Sequence, residues 1–113
     1  MISLSTHTLD SSTGTHAAGI DVKLFALTED KIVELWSRQT DSDGRLSIKF
    51  KLDLKYKNCD LQLSFYINKY FAQTSKGVQT KSVNLNIKLP DPHGSYHLPV
   101  IISPHGASLW WSN

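Results

Sequence analysis

Apolar and polar residues alternate most cleanly in Leu46-Ser47-Ile48-Lys49-Phe50-Lys51-Leu52, where every second side chain is hydrophobic and the others are Ser or Lys. A period of two puts the apolar set on one face, the pattern of a strand buried on one side only. The same period returns in Ile20-Asp21-Val22-Lys23-Leu24, in Leu61-Gln62-Leu63-Ser64-Phe65 and in Val83-Asn84-Leu85-Asn86-Ile87-Lys88-Leu89. Ile32-Val33-Glu34-Leu35-Trp36 predicts a hairpin with the strand over residues 20 to 27, closed by the polar turn Thr28-Glu29-Asp30. Further breaks fall at Asp41-Ser42-Asp43-Gly44 and Pro90-Asp91-Pro92-His93-Gly94, both rich in residues that tolerate tight backbone geometry. Near the start, Leu4-Ser5-Thr6-His7-Thr8-Leu9 puts Ser5, His7 and Leu9 on one face and Leu4, Thr6 and Thr8 on the other. Asn68-Lys69-Tyr70-Phe71-Ala72-Gln73 lacks alternation and predicts one or two turns of helix, followed by a loop over Thr74-Ser75-Lys76-Gly77. Asp10-Ser11-Ser12-Thr13-Gly14-Thr15 reads as an ordinary loop. Many short strands and one short helix describe an all-β sandwich or barrel.

Composition narrows the class further. A length of 113 residues suits one domain spanning 1 to 113, and 40% hydrophobic with 19% charged residues excludes a disordered or fibrous chain. The net charge is +2 and the lysines are dispersed among alternating segments, so no basic block follows a phosphate backbone and nucleic acid is not an expected partner. Cys59 stands alone, which rules out an intrachain disulfide and fits a reducing compartment. Met1-Ile2-Ser3-Leu4 enters patterned sequence at once, without a basic and then apolar leader, and no apolar run has the length of a membrane span. The final Trp111-Ser112-Asn113 is not a peroxisomal address. A cytoplasmic protein without a membrane partner is the expectation.

Three residues draw attention as chemistry. His7 sits on a strand, His97 lies within Ser95-Tyr96-His97-Leu98-Pro99, and Arg45 follows the tight turn ending at Gly44. Taken singly, each has a bland explanation, because a neutral imidazole is easily satisfied by neighbouring backbone and an exposed Arg needs no reason. Their context alters this. Leu4-Ser5-Thr6-His7-Thr8-Leu9-Asp10, followed by Gly14 and Ala17-Ala18, resembles the opening signature of 5-hydroxyisourate hydrolases. Thr40-Asp41-Ser42-Asp43-Gly44-Arg45 is similar to their T-x-x-DGR turn, Tyr70-Phe71 to their Tyr-Phe pair, and Tyr96-His97-Leu98-Pro99-Val100-Ile101-Ile102-Ser103-Pro104 to their YHxP…SP segment. The segments occur in order along almost the whole chain.

The resemblance implies a transthyretin-like β-sandwich with one short helix, a homotetramer built as a dimer of dimers, and catalytic roles for His7, Arg45 and His97 in a cleft between subunits. It also implies a small-molecule substrate, opened hydrolytically at a cyclic amide, and no cofactor. The residue types suit that chemistry. An imidazole titrating near neutrality can take a proton from water while another orients or donates one, and a planar guanidinium can hold carbonyl oxygens or an anion. Which His has which role is open at this level.

The tail departs from the pattern. The family typically ends in Tyr-Arg-Gly-Ser, residues that contribute to its site, whereas this chain ends in Trp110-Trp111-Ser112-Asn113. A cation and the terminal hydroxyl are lost, two indoles are gained, and Ser112 offers a hydroxyl one position early. Those four residues are the expected substrate-binding set, and in an extended tail Trp110 and Trp111 point opposite ways, so only one lines a given wall. His16 stands where the family usually has proline, and Lys81-Ser82-Val83 lacks its usual Pro-Glu. His105 reads as a turn residue between Pro104 and Gly106. His7, His16, His93, His97 and His105 show no compact ligand spacing, so no metal is expected. Besides urate-pathway hydrolysis, two readings remain: the same site applied to another cyclisation or ring opening, and a small-molecule binding protein without catalysis.

Overall fold

Alternation turns into two sheets because each strand has one apolar face to bury. A computed structural model describes residues 1–74 and 78–112. In chain order the elements are β1 (Ile2–Asp10), β2 (Thr15–His16), β3 (Asp21–Leu27), β4 (Ile32–Gln39), β5 (Arg45–Phe50), a 3-10 turn (Leu54–Tyr56), β6 (Asp60–Tyr66), α1 (Asn68–Phe71), β7 (Ser82–Ile87), β8 (Ser95–Ser103) and β9 (Gly106–Leu109). The first sheet is organised around β1. Along one edge β1 pairs antiparallel with β5 through residues 2 to 7 and then with β2 at residues 9 and 10, while β8 runs parallel along its other edge and carries β9 outside it. The second sheet has the order β4-β3-β6-β7, antiparallel throughout.

Between the sheets lies the core. It takes Ile2 and Leu4 from β1, Leu98, Val100 and Ile102 from β8, and Val22, Leu24, Ala26, Leu61, Leu63 and Phe65 from the facing sheet. Each large aliphatic or aromatic side chain removed from water there contributes about 1.5–3 kcal/mol. β1 also turns Thr6, Thr8 and Asp10 inward, and all three are buried. Thr6 Oγ1 donates to Leu98 O at 2.6 Å and Thr8 Oγ1 to Ala17 O at 2.7 Å, so the buried hydroxyls are satisfied by backbone.

The expected strands and hairpin are present, and so is the short helix at Asn68–Phe71. Its two aromatic residues have distinct tasks: Phe71 is fully buried, and Tyr70 Oη donates to Asp10 Oδ2 at 3.0 Å, tying the helix to the far sheet. Asp10 to Thr15 differs from the loop expectation. Gly14 N donates to Asp10 O at 2.8 Å with φ +75 at Gly14, a tight reversal that brings Thr15 and His16 back alongside β1. Of the loop expected at Thr74-Ser75-Lys76-Gly77, residues 75 to 77 lie outside the described residues.

Candidate functional site

The outer face of β1 carries the candidate residues. Since Ile2, Leu4, Thr6, Thr8 and Asp10 point into the core, the pleat turns Ser5, His7 and Leu9 outward. Register does the rest. Arg45 lies directly opposite His7 on β5, and on the other side of β1 His97 pairs with Ser5 and Pro99 with His7. Facing positions on paired strands are about 5 Å apart, and the His7 to His97 diagonal spans roughly 8 Å. Residues separated by more than 90 positions therefore share one patch.

Arg45 is delivered by a turn whose residues are fixed by hydrogen bonds. Asp41 Oδ1 accepts from Asp43 N at 2.9 Å and Arg45 N at 3.0 Å, while Gly44 N donates to Asp41 O at 2.9 Å. Those two amide bonds hold the Asp41 carboxyl below its ordinary pKa, the Arg45 amide being the larger cause. Gly44 adopts φ +72 and passes so close to β1 that an added Cβ would lie 2.4 Å from Thr8 O. No other residue fits. Thr40, buried, accepts from Ile20 N at 2.9 Å and donates to Ala17 O at 3.2 Å, anchoring the turn to the core.

Each histidine has its own partners. His97 Nδ1 lies 2.7 Å from Ser5 Oγ, which engages that nitrogen, and among the described residues Nε2 has no hydrogen-bond partner. His7 Nε2 lies 3.1 Å from Asp43 O and 3.0 Å from His16 Nδ1, with the two rings 5.1 Å apart and tilted by 33°. The His7 pKa is lowered, first by partial burial and then by the charge of Arg45, with His16 and His97 adding to it and the Asp43 carbonyl opposing. Neutral His7 is thereby favoured near neutral pH, with a lone pair available to accept a proton. Among the described residues the Arg45 guanidinium makes no hydrogen bond, and its side chain is exposed.

The tail continues the sheet past β9. Trp110 N donates to Pro99 O at 3.3 Å and Ser112 N to His97 O at 2.8 Å, extending the antiparallel register in which Val100 faces Leu109. Trp110 thus faces Pro99 and Ser112 faces His97, both on the outer face. Trp111 takes the opposite face and packs edge-on against Tyr96, ring centroids 6.1 Å apart. The two indoles diverge, as an extended tail requires, and Trp110 is the one on the same face as His7 and His97, opposite Pro99. Asn113 lies outside the described residues.

His7, Arg45, His97, Trp110 and Ser112 are brought together, whereas Trp111 is turned away. His105 occupies the β8 to β9 turn, and His93 contacts the N-terminal amine at 3.3 Å, both apart from the patch. Sequence reasoning missed two neighbours, Ser5 and His16. The signal for Ser5 was its place two residues before His7, and that for His16 was a hairpin hidden in a stretch read as loop. Among the described residues no three His, Cys, Asp or Glu side chains are grouped as metal ligands. A cleft of about 660 Å³ opens elsewhere, at the start of β1, lined by Met1, Leu52, Leu54, Leu89 and Pro92 among others. The patch lies on the outer face of its sheet, with Arg45 and Trp110 exposed.

Known proteins align with this chain over most of its length. The 5-hydroxyisourate hydrolase of Deinococcus radiodurans is 30% identical over 114 residues, covering 95% of this chain and 92% of the relative. The structure of Klebsiella pneumoniae 5-hydroxyisourate hydrolase superposes with a TM-score of 0.77 at 27% identity, covering 98% of this chain and 99% of that one. Sea bream transthyretin in complex with thyroxine superposes with a TM-score of 0.80 at 18% identity, covering 96% and 93%, a likeness of fold. The profile of the HIUase/Transthyretin family matches residues 4–111, and this chain, a transthyretin-like β-sandwich, belongs to that family.

Proposed function

We propose that this protein is a 5-hydroxyisourate hydrolase of purine breakdown and that His7, Arg45 and His97 perform the ring opening without a cofactor. The observation that carries the reading is the convergence of these three residues on one outer face in a chain whose full-length relatives are named for that reaction. Neutral His7 takes a proton from water, whose oxygen attacks the amide carbonyl carbon. Arg45 holds the oxygen on which negative charge develops, and His97, oriented through Nδ1 by Ser5, supplies a proton to the departing ring nitrogen as the C–N bond breaks. The open outer face supports a homotetramer in which a second copy supplies a facing wall. The lone cysteine supports a reducing, cytoplasmic setting.

Trp110 favours a second reading. An indole beside the catalytic face adds flat apolar surface, which suits a substrate with an aromatic or extended apolar portion better than a small polar ring. On that reading the same residues open or close a different ring. A carrier without catalysis has no use for a base, a guanidinium and an acid on one face. The test is to add purified protein to freshly generated 5-hydroxyisourate and follow its loss against the spontaneous rate. Acceleration by catalytic amounts supports hydrolysis; a rate equal to the uncatalysed one rejects it and leaves the second reading.

A further inference from the structure

We infer that His16 is a positioning residue that reinforces the Asp43 carbonyl in holding His7 as its Nε2–H tautomer, leaving His7 Nδ1 as the basic atom. The inference rests on the reading of His7 as the base. The two partners of His7 Nε2 differ in what they can do. Asp43 O, 3.1 Å away, is a carbonyl and can only accept, so Nε2 must carry the hydrogen. The same hydrogen faces His16 Nδ1 at 3.0 Å, and that nitrogen must then be the unprotonated one of its ring. Any other assignment sets a lone pair against the carbonyl oxygen or two N–H groups against each other. One pattern satisfies all three atoms: Nε2–H of His7 shared between the carbonyl and His16 Nδ1, and the His16 hydrogen on its own Nε2.

The local fold is built to make this contact. Gly14 reverses the chain, Leu9 pairs with His16, and Ala17 N donates to Thr8 O at 2.9 Å, so His16 is clamped on both sides to the strand that carries His7. Its side chain is exposed, whereas His7 is partly buried. The other charged or titratable groups around His7 are Arg45 on β5, His97 on β8 and Asp41 in the preceding turn. Neither Arg45 nor His97 contacts Nε2; among the described residues the Asp43 carbonyl requires the hydrogen there and His16 Nδ1 adds a second acceptor for it. When Nδ1 takes the proton from water, the imidazolium Nε2–H becomes a stronger donor and its bond to His16 tightens. His16 therefore acts on the protonated state reached during reaction and affects turnover more than substrate binding.

Nitrogen-15 correlation of the full-length protein at neutral pH, without substrate, reads the tautomer directly. Wild type is expected to show His7 as Nε2–H. His16→Ala should raise the Nδ1–H share and lower kcat roughly tenfold, with KM within about twofold. His16→Gln, whose amide oxygen can accept in the same place, should recover most of both. His7 found as Nδ1–H in wild type, or a tautomer unchanged in His16→Ala, would overturn the inference. Because the spectrum needs no substrate, a wild type that leaves 5-hydroxyisourate untouched yet shows Nε2–H would reject the hydrolase reading and retain this one.

Discussion

The two faces of β1 carry the same kinds of residue and put them to opposite uses. Inward, Thr6, Thr8 and Asp10 are buried, and their polar atoms are consumed locally: Leu98 O and Ala17 O take the hydroxyls, while Ser12 and Tyr70 bond the carboxylate. Outward, Ser5 and His7 meet other side chains, and each histidine of the patch keeps a ring nitrogen free of protein contact among the described residues. A polar group whose hydrogen bonds are all made within the fold stabilises it and is available for little else. One with a free donor or acceptor on an open face can meet a substrate.

Gly44→Ala tests whether the faces can be separated at all, since this glycine touches Thr8 O on the inner side while its neighbours carry Asp43 O and Arg45 to the outer side. Its positive φ and the 2.4 Å approach leave no place for a methyl group, and the variant should lose at least about 3 kcal/mol in chemical denaturation. A near-normal unfolding midpoint would contradict the tight turn. Arg45→Ala and His97→Ala should instead leave folding intact and lower activity by at least about a hundredfold, which initial rates and an unfolding curve on the same sample would resolve.

Asp10 and Tyr70 sharpen the inner half of the comparison. Burial alone would raise the Asp10 pKa, but hydrogen bonds from Ser12 and Tyr70 outweigh it and the pKa is lowered. Its stabilisation is thus present above the ordinary carboxylate range and lost as pH falls through the folded value. Tyr70 is pushed up to about 12 by burial and by Asp10, so its contribution is held at neutral pH and lost as pH climbs from the ordinary tyrosine value toward 12. Asp10→Asn should lower stability by about 1–2 kcal/mol at pH 7 and remove part of the acid sensitivity, read as unfolding midpoints across pH. An unchanged acid limb would show that Asp10 is not held as a carboxylate.

The smallest effects belong to the tail. Trp110→Ala should alter KM by a few fold and Trp111→Ala should act on stability instead, because only Trp110 shares the outer face. Replacing residues 110 to 113 by Tyr-Arg-Gly-Ser should raise 5-hydroxyisourate turnover and weaken activity on any bulkier substrate. Rates unchanged by the swap would make the tail scaffold.

Much of this was legible in the residues. Period-two alternation located β3, β5, β6 and β7 and assigned Ser5 and His7 to one face, because the pleat admits no other arrangement, whereas β8, nine residues long, was not read as a strand from its pattern. Tyr70-Phe71 was visible as a paired motif, yet its purpose was not. That the hydroxyl reaches Asp10 depends on how one sheet sits over the other, which no local pattern encodes. His16 escaped for a different reason. Its strand is two residues long, too short to show a period, and the contact with His7 follows from a single glycine reversal.

The most direct test measures activity and stability together in two variants one residue apart. His7→Ala removes an outward group and Thr6→Val an inward one, and both are assayed for 5-hydroxyisourate loss and for thermal unfolding. The prediction is an activity loss of at least about a hundredfold with near wild-type unfolding for His7→Ala, against activity within a few fold and a stability loss of about 1–2 kcal/mol for Thr6→Val. Equal activity in both variants, or loss of activity in Thr6→Val with His7→Ala still active, would contradict the division of β1 into a structural and a chemical face.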